Sequence, residues 1–407
     1  EILLKNGAQI DATDMNKQTP LHRSIIKNHT NIIQLLLSNG AKIGVADVFK
    51  QTPLHKAAIT GDIEVVQMLL DKGAKIHCKD INNWTPLHAA VSNNRQKVVQ
   101  LLLHLGARDN AVTSCNKTPL CIAVEKCHVE IVQMLLARGA NVEIVDIFGQ
   151  TLLYKAVQQG NVEVVEMLLQ GKIRVDGNNK AKKTPLHKAV EEGHIKIVEM
   201  LLEKGSNIEV SDDAMRTPLM IAIEKGHLEI AGILIEKGAR VTNLYKDKSK
   251  TLLHTVAEEG HVEILQMLLE KGIKIDARDS DKRTPLYFAI KEGNIEIVQV
   301  LLKKGALINV EDRYKRTLMH EAVEKCDIEI LNILLEHGCH SDAPDGSNLT
   351  PLHMAVIAGN REIVEMLLEK GANVHAIDKK FNSPLQYAIS YGHKDIVELL
   401  KDRSTKC

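Results

Sequence analysis

Aromatic side chains are scarce in this chain: Phe, Tyr and Trp together make up only 3% of its 407 residues. Each aromatic that a core does not claim is therefore informative. Charge is not in excess of either sign. Lys+Arg and Asp+Glu both total 52, which gives neither nucleic acid nor an anionic membrane an electrostatic hold. No apolar run reaches the roughly 18 residues that a membrane-spanning helix needs. The opening residues, EILLKNGA, lack both Met and the basic segment of a signal peptide, so the chain is expected to open inside a helix, as a fragment of something longer. Cysteine lacks regularity. Cys78, Cys115, Cys121, Cys127, Cys326, Cys339 and Cys407 are an odd number at uneven spacings, which excludes a secreted disulfide framework and points to free thiols in a reducing compartment. A cytoplasmic location is expected, with the nucleus or a host-cell cytosol also open.

What is present is repetition. Thr, once Ser, recurs at 19, 52, 85, 118, 151, 184, 217, 251, 284, 317, 350 and 383, in steps of 33 residues with a single step of 34. Nine of the ten prolines follow it directly. The unit Thr184–Gly205, TPLHKAVEEGHIKIVEMLLEKG, reads as two short antiparallel helices. Thr184 can cap the first through its hydroxyl, and Pro185 sits where a missing N–H costs nothing. Leu186, Ala189 and Val190 give one apolar side. Gly193 turns the chain, Ile195, Ile197, Val198, Leu201 and Leu202 make the second helix amphipathic, and Gly205 closes it. Such a pair cannot bury its own faces and must stack on copies of itself.

About a dozen residues separate each closing glycine from the next Thr. An apolar residue, polar residues and a turn suit a short projecting β-hairpin. A 33-residue turn-plus-two-helices unit carrying T-P-L-H resembles the ankyrin repeat, over the whole chain. The resemblance implies an all-α ankyrin-repeat solenoid over 1–407. It comprises the trailing half of a truncated repeat at 1–14, eleven full repeats at 15–380 and a C-terminal capping repeat at 381–407. Lys401, at a core position that is apolar in every earlier second helix, predicts the cap. Lys172, in place of a closing glycine, predicts a weak unit, and the single 34-residue step puts its extra residue between Gly238 and Thr251.

Histidines 22, 55, 88, 187, 254, 320 and 353 end the T-P-L-H motif, while 29, 128, 194, 227, 261 and 393 open the second helix. Both sets repeat with the unit, so a structural hydrogen-bonding role is expected. His337, Cys339 and His340 with Cys326 upstream come nearest to a metal cluster, but lack the two spaced ligand pairs of a zinc site. No nucleophile–base set, phosphate-cradling loop or catalytic carboxylate pair rises above the repeat. No enzyme activity, cofactor or metal is expected.

Identity is stored where the unit does not repeat. The resemblance implies that loop tips and the exposed side of each first helix line a concave groove. The tips carry Met15, Phe49, Trp84, Phe148, Met215, Tyr314 and Phe381; the groove side of the late first helices carries Phe288, Met354, Ile357, Tyr387 and Tyr391. Exposed large apolar groups mark interaction sites, so Phe49, Trp84, Phe148, Met215, Phe288, Tyr314, Met354, Phe381, Tyr387 and Tyr391 are the candidate contacts. Early groove positions are basic (Arg23, Lys56). In the middle, acidic first helices (Glu191, Glu192, Glu224, Glu258, Glu259, Glu292, Glu324) face basic tips (Lys180, Lys182, Lys183, Arg216, Lys246, Lys248, Lys282, Arg283, Lys315, Arg316). These either neutralise one another or read a mixed-charge segment. The expected function is a non-catalytic, monomeric scaffold that binds a protein or peptide, with no nucleic acid or membrane partner. The recognition arm of a larger catalytic or channel protein, or a host-directed effector of an intracellular bacterium, are the alternatives.

Overall fold

The computed structural model describes residues 2–241 and 250–404. The tip lysines Lys246 and Lys248, the insertion of the 34-residue step and Cys407 lie outside the described residues. A short helix, Ile2–Lys5, is followed by twelve helix pairs, from Pro20–Ile26 and Thr30–Ser38 to Pro384–Tyr391 and Lys394–Ser404. They fall into two compact units, Glu1–Asn207 and Ile208–Cys407, with six pairs in each. Within each unit, first helices pack on first helices, second helices on second helices, and the two members of each pair against each other. The core lies between these layers.

The local reasons are visible in Pro185–Glu191. Thr184 is extended (φ −86°, ψ 168°), and its Oγ1 accepts from the His187 N–H at 3.4 Å. In return, the Thr184 N–H donates to His187 Nδ1 at 3.1 Å. The two bonds form a reciprocal capping box in which imidazole replaces the usual Glu or Gln. Leu186, Ala189 and Val190 are fully buried, as are Val198 and Leu201 of Ile195–Glu203. Each such Leu contributes about 2 kcal/mol of burial, so the stack is held by apolar contact and aimed by its caps.

The inter-helix turn needs a left-handed residue. Gly193 supplies it at φ 75°, but Asn28, Asn94, Cys127 and Cys326 adopt the same conformation at 54–56°. Cysteine there is held against its own preference. At the weak unit, Gly171 leaves the helix Val162–Gln170 extended (φ −82°, ψ 176°), without the left-handed closure seen at Gly205. The expected β-hairpins take another form. Among the described residues there are no strands in the loops, only isolated antiparallel bridges, Val145 with Thr151 and Glu311 with Thr317. A side chain does the work that ladder hydrogen bonds would do.

Candidate protein-binding surface

That side chain is an aspartate five residues before nine of the twelve repeat-opening Thr or Ser residues. Asp47 Oδ1 accepts from the N–H groups of Phe49 and Gln51, both at 2.9 Å. Asp80 serves Asn82 and Trp84 likewise at 2.8 Å, Asp212 serves Ala214 and Arg216, and Asp312 serves Tyr314 and Arg316. Asn179 does the same for Ala181 and Lys183. This is an Asx turn extended by one residue, and the residue three after the aspartate takes positive φ, as at Lys50 (57°) and Asn83 (60°). Successive turns are then joined in part through main chain. Val48 N–H donates to Asn16 O at 3.0 Å, Ile81 N–H to Phe49 O at 2.9 Å, and Ser114 N–H to Asn82 O at 2.9 Å. The recurrence of Asp at 14, 47, 80, 146, 212, 279, 312, 345 and 378 is the sequence signal that marks this turn.

Within that frame the candidate residues occupy unequal places. Phe49, Phe148 and Tyr314 follow their aspartate by two positions and are 57%, 62% and 61% exposed. Met215 and Phe381 stand one position later, on the left-handed residue (φ 61° and 62°), and are also exposed. Trp84 is half-buried, with its ring centroid 6.0 Å from that of His88. Its main chain is pinned at both ends, by Asp80 at the N–H and by His55 Nε2 at the carbonyl, 3.0 Å away. The indole forms one wall of a cleft of about 240 Å³ that also borders Gln51, Asp80, Asn82, Ala89 and Asn93.

In the second unit Met354 and Tyr387 are half-buried and Tyr391 is exposed. Tyr387 stacks with Tyr391 at 6.3 Å, meets His353 edge-on at 6.0 Å, and donates its hydroxyl to Asp378 Oδ2 at 2.6 Å. Tyr387 is thus part of the turn as well as the surface. Phe288 is a correction: only 2% exposed, it lines no groove. Lys250 Nζ sits 4.3 Å from its ring centroid and the Arg283 guanidinium 5.2 Å away, while His254 and Tyr287 meet it edge-on. Tyr287, which no sequence pattern singles out, donates its hydroxyl to Glu321 at 2.8 Å.

The central charges pair largely with each other. The basic residue before the Thr reaches the glutamate eight residues on: Lys117 to Glu125 at 2.7 Å, Lys183 to Glu191 at 3.0 Å, Arg216 to Glu224 at 3.1 Å, Lys250 to Glu258 at 2.6 Å, and Arg316 to Glu324. Loop aspartates also take cations. Burial pushes the Asp47 carboxyl up, but Lys56 at 2.9 Å and the Gln51 and Phe49 amides outweigh it and hold it below its ordinary range. Lys155 bridges Asp146 and Glu125.

The histidine ladder is structural. With Nδ1 accepting from the Thr amide, Nε2 carries the proton and donates to the next loop: His22 to Gln51 O at 3.2 Å, His254 to Arg283 O at 3.1 Å, His320 to Leu349 O at 3.0 Å and His353 to Asn382 O at 3.2 Å. Burial lowers the pKa of each, that of His88 to about 4. The histidines that open second helices pack on the inter-helix glycine of the preceding unit, as His261 does on Gly226. Cys339 is buried, its thiol pushed up to about 11 by that burial, and Nδ1 of His337 bonds Ile333 O. Among the described residues no group of three His, Cys, Asp or Glu side chains could hold a metal ion, and no helix is long and apolar enough to cross a membrane.

The human ASB11 ankyrin repeat domain is similar in fold: 24% identity and a TM-score of 0.50 over 55% of this chain and 99% of that domain. No curated protein matches in sequence. A family model for ankyrin repeats (three copies) matches in overlapping windows from residues 1–80 to 319–407, spanning the chain. Ankyrin repeats generally mediate protein–protein interaction and are typically non-catalytic. With the repeat, its capping box and its turn all in register along both units, the chain belongs to the ankyrin-repeat family.

Proposed function

We propose that this chain is a protein-binding scaffold whose partner is held on the loop-bearing side of its repeats. The observation that carries this reading is the exposure of Phe49, Phe148, Tyr314 and Phe381 on turns whose main chain is already fixed by aspartate and by the neighbouring loop. Folding gains nothing from a phenyl ring in water, and large apolar groups presented on a rigid frame are what interface anchors require. In the first unit the anchors are Phe49, Trp84 and Phe148; in the second they are Met215, Tyr314, Phe381, Met354, Tyr387 and Tyr391. The paired central charges serve orientation and solubility. The six described cysteines are free thiols, which supports a reducing compartment such as the cytoplasm.

The test uses the full chain with a photo-crosslinking amino acid at Lys50, beside Phe49, or at Glu199, on the far side of a second helix. Crosslinks to a partner are expected from position 50 only, and Phe49→Ala with Phe148→Ala should reduce them about thirtyfold or more, the loss that corresponds to one buried anchor of ~2 kcal/mol. Crosslinks from position 199 alone would move the partner to the other side and end this reading.

A further inference from the structure

Six loop aspartates are buried: Asp47, Asp80, Asp146, Asp212, Asp279 and Asp378. Each spends Oδ1 on its turn. In five of them Oδ2 meets a group from its own repeat. Lys56 lies 2.9 Å from Asp47, Lys155 2.9 Å from Asp146, Arg216 2.8 Å from Asp212, Arg283 2.9 Å from Asp279, and the Tyr387 hydroxyl 2.6 Å from Asp378. These partners come from two positions only, four or nine residues after the aspartate. For Asp80 those positions hold Trp84 and Ala89. Its Oδ2 has a neutral amide, Gln51 Nε2 at 3.2 Å, and no ion pair among the described residues. Where the unit at Thr52 reads TPLHK, this one reads TPLHA. Beside Ala89, at the position that carries Lys56 in the preceding repeat, lies the cleft of about 240 Å³ lined by Trp84 and Asp80.

Resting on the protein-binding reading above, we propose that this cleft takes a lysine or arginine side chain from the partner. The incoming cation stands in for the missing Lys at position 89: its head pairs with Asp80 Oδ2, its stem lies along the indole, and the Asn82 and Asn93 amides border the remaining space. Three features select a cation over an apolar group. A buried carboxylate without a counter-charge is costly and gains by pairing. An aromatic wall favours a cation over a neutral polar group. The site is also rigid beforehand, because the Trp84 main chain is held by Asp80 and His55, so little ordering is required on binding.

The test exploits the fact that Trp84 is the only tryptophan in the chain, so tryptophan emission reports on this cleft alone. The full chain is titrated with acetyl-Gly-Lys-Gly-amide, its arginine analogue and its norleucine analogue. The two cationic peptides should give saturable changes that weaken with added salt, and norleucine none. Ala89→Lys installs the neighbouring repeat's own residue and should weaken the cationic peptides by at least about tenfold with the melting curve unmoved or raised. Asp80→Asn, which keeps a turn-forming oxygen as Asn179 does natively, should do the same. An equal response to norleucine, an unchanged response in Ala89→Lys, or no saturable response to either cation would each overturn the proposal. If Ala89→Lys leaves the crosslinks from position 50 unchanged, the slot is wrong while the scaffold reading stands. Loss of those crosslinks only in the Phe49 and Phe148 variants makes the same distinction.

Discussion

The imidazole of His353 donates from Nε2 to the carbonyl of Asn382, 29 residues downstream, at 3.2 Å, while its Nδ1 accepts from the Thr350 amide at the start of its own helix. One neutral ring therefore closes a cap and ties one repeat to the next. A second proton would fall on Nδ1 and break the cap.

Stability should accordingly fall in mild acid. The folded pKa of His22, His55, His88, His254, His320 and His353 lies below the unfolded value near 6.5, with burial the largest cause. Between the two values the unfolded chain binds more protons, so stability rises with pH and is lost as pH falls from about 6.5. His88, at about 4, alone accounts for a loss on the order of 3 kcal/mol once pH is below 4. Urea midpoints at pH 7.5, 6 and 5 measure this. His88→Met, which copies the native Met220 at the same motif position, should flatten the dependence; an unchanged slope would mean that the ladder titrates normally.

Two glycines with similar backbones should respond differently to alanine. Gly226 (φ 68°) would put a Cβ 2.6 Å from the His261 ring, whereas Gly205 (φ 82°) has nothing within 4 Å. Gly205→Ala should cost about 1 kcal/mol of left-handed strain. Gly226→Ala should cost roughly 2–3 kcal/mol, strain plus overpacking. Equal losses by denaturant titration would show that the histidine does not pack on the turn.

Asp212→Ala strips two amides and Arg216 of their acceptor and should cost about 2 kcal/mol or more. Asp212→Asn should cost less, since Asn179 builds the same turn. Amide exchange at Ala214 and Arg216 is the direct readout: acceleration in the alanine variant only is the expected result.

The Lys183–Glu191 pair is part-exposed on both sides, so solvent screening limits it. A double-mutant cycle should give a coupling of about 0.5 kcal/mol that shrinks in high salt. A coupling above ~2 kcal/mol would show these pairs to be structural pillars.

The stack is legible in the sequence because Thr, Pro and Gly recur in fixed register and each has one local meaning. Thr184, Pro185 and Gly205 need no tertiary knowledge to be read as cap, first turn and closure. The surface is only half legible. Phe288 sits at a helix position that holds Arg23, Lys56, Lys155 and Lys188 in other repeats, and what covers it, Lys250 and Arg283, comes from loops on either side. Tyr387 has the sequence of a free anchor, yet its hydroxyl is bound to Asp378; truncating it should unsettle the turn as well as the surface. The tip residues read as one class in the sequence, although Phe49, Trp84 and Phe381 occupy three different positions of the turn, three, one and two residues before the Thr or Ser. What the position means, exposed beside the turn, pinned at its end or on its left-handed residue, comes from the hydrogen bonds of the aspartate.

One set of loop-to-loop bonds uses only main-chain atoms, and its acceptors are carried by Asn16, Phe49, Asn82, Phe148, Asp281, Tyr314 and Ser347 without distinction. This set of bonds thereby survives a change of side chain at those places. On the proposed scaffold reading, a lineage carrying such a chain can trade one target for another by single base changes at the tips while this set of bonds stays in place, much as type is reset in a standing press.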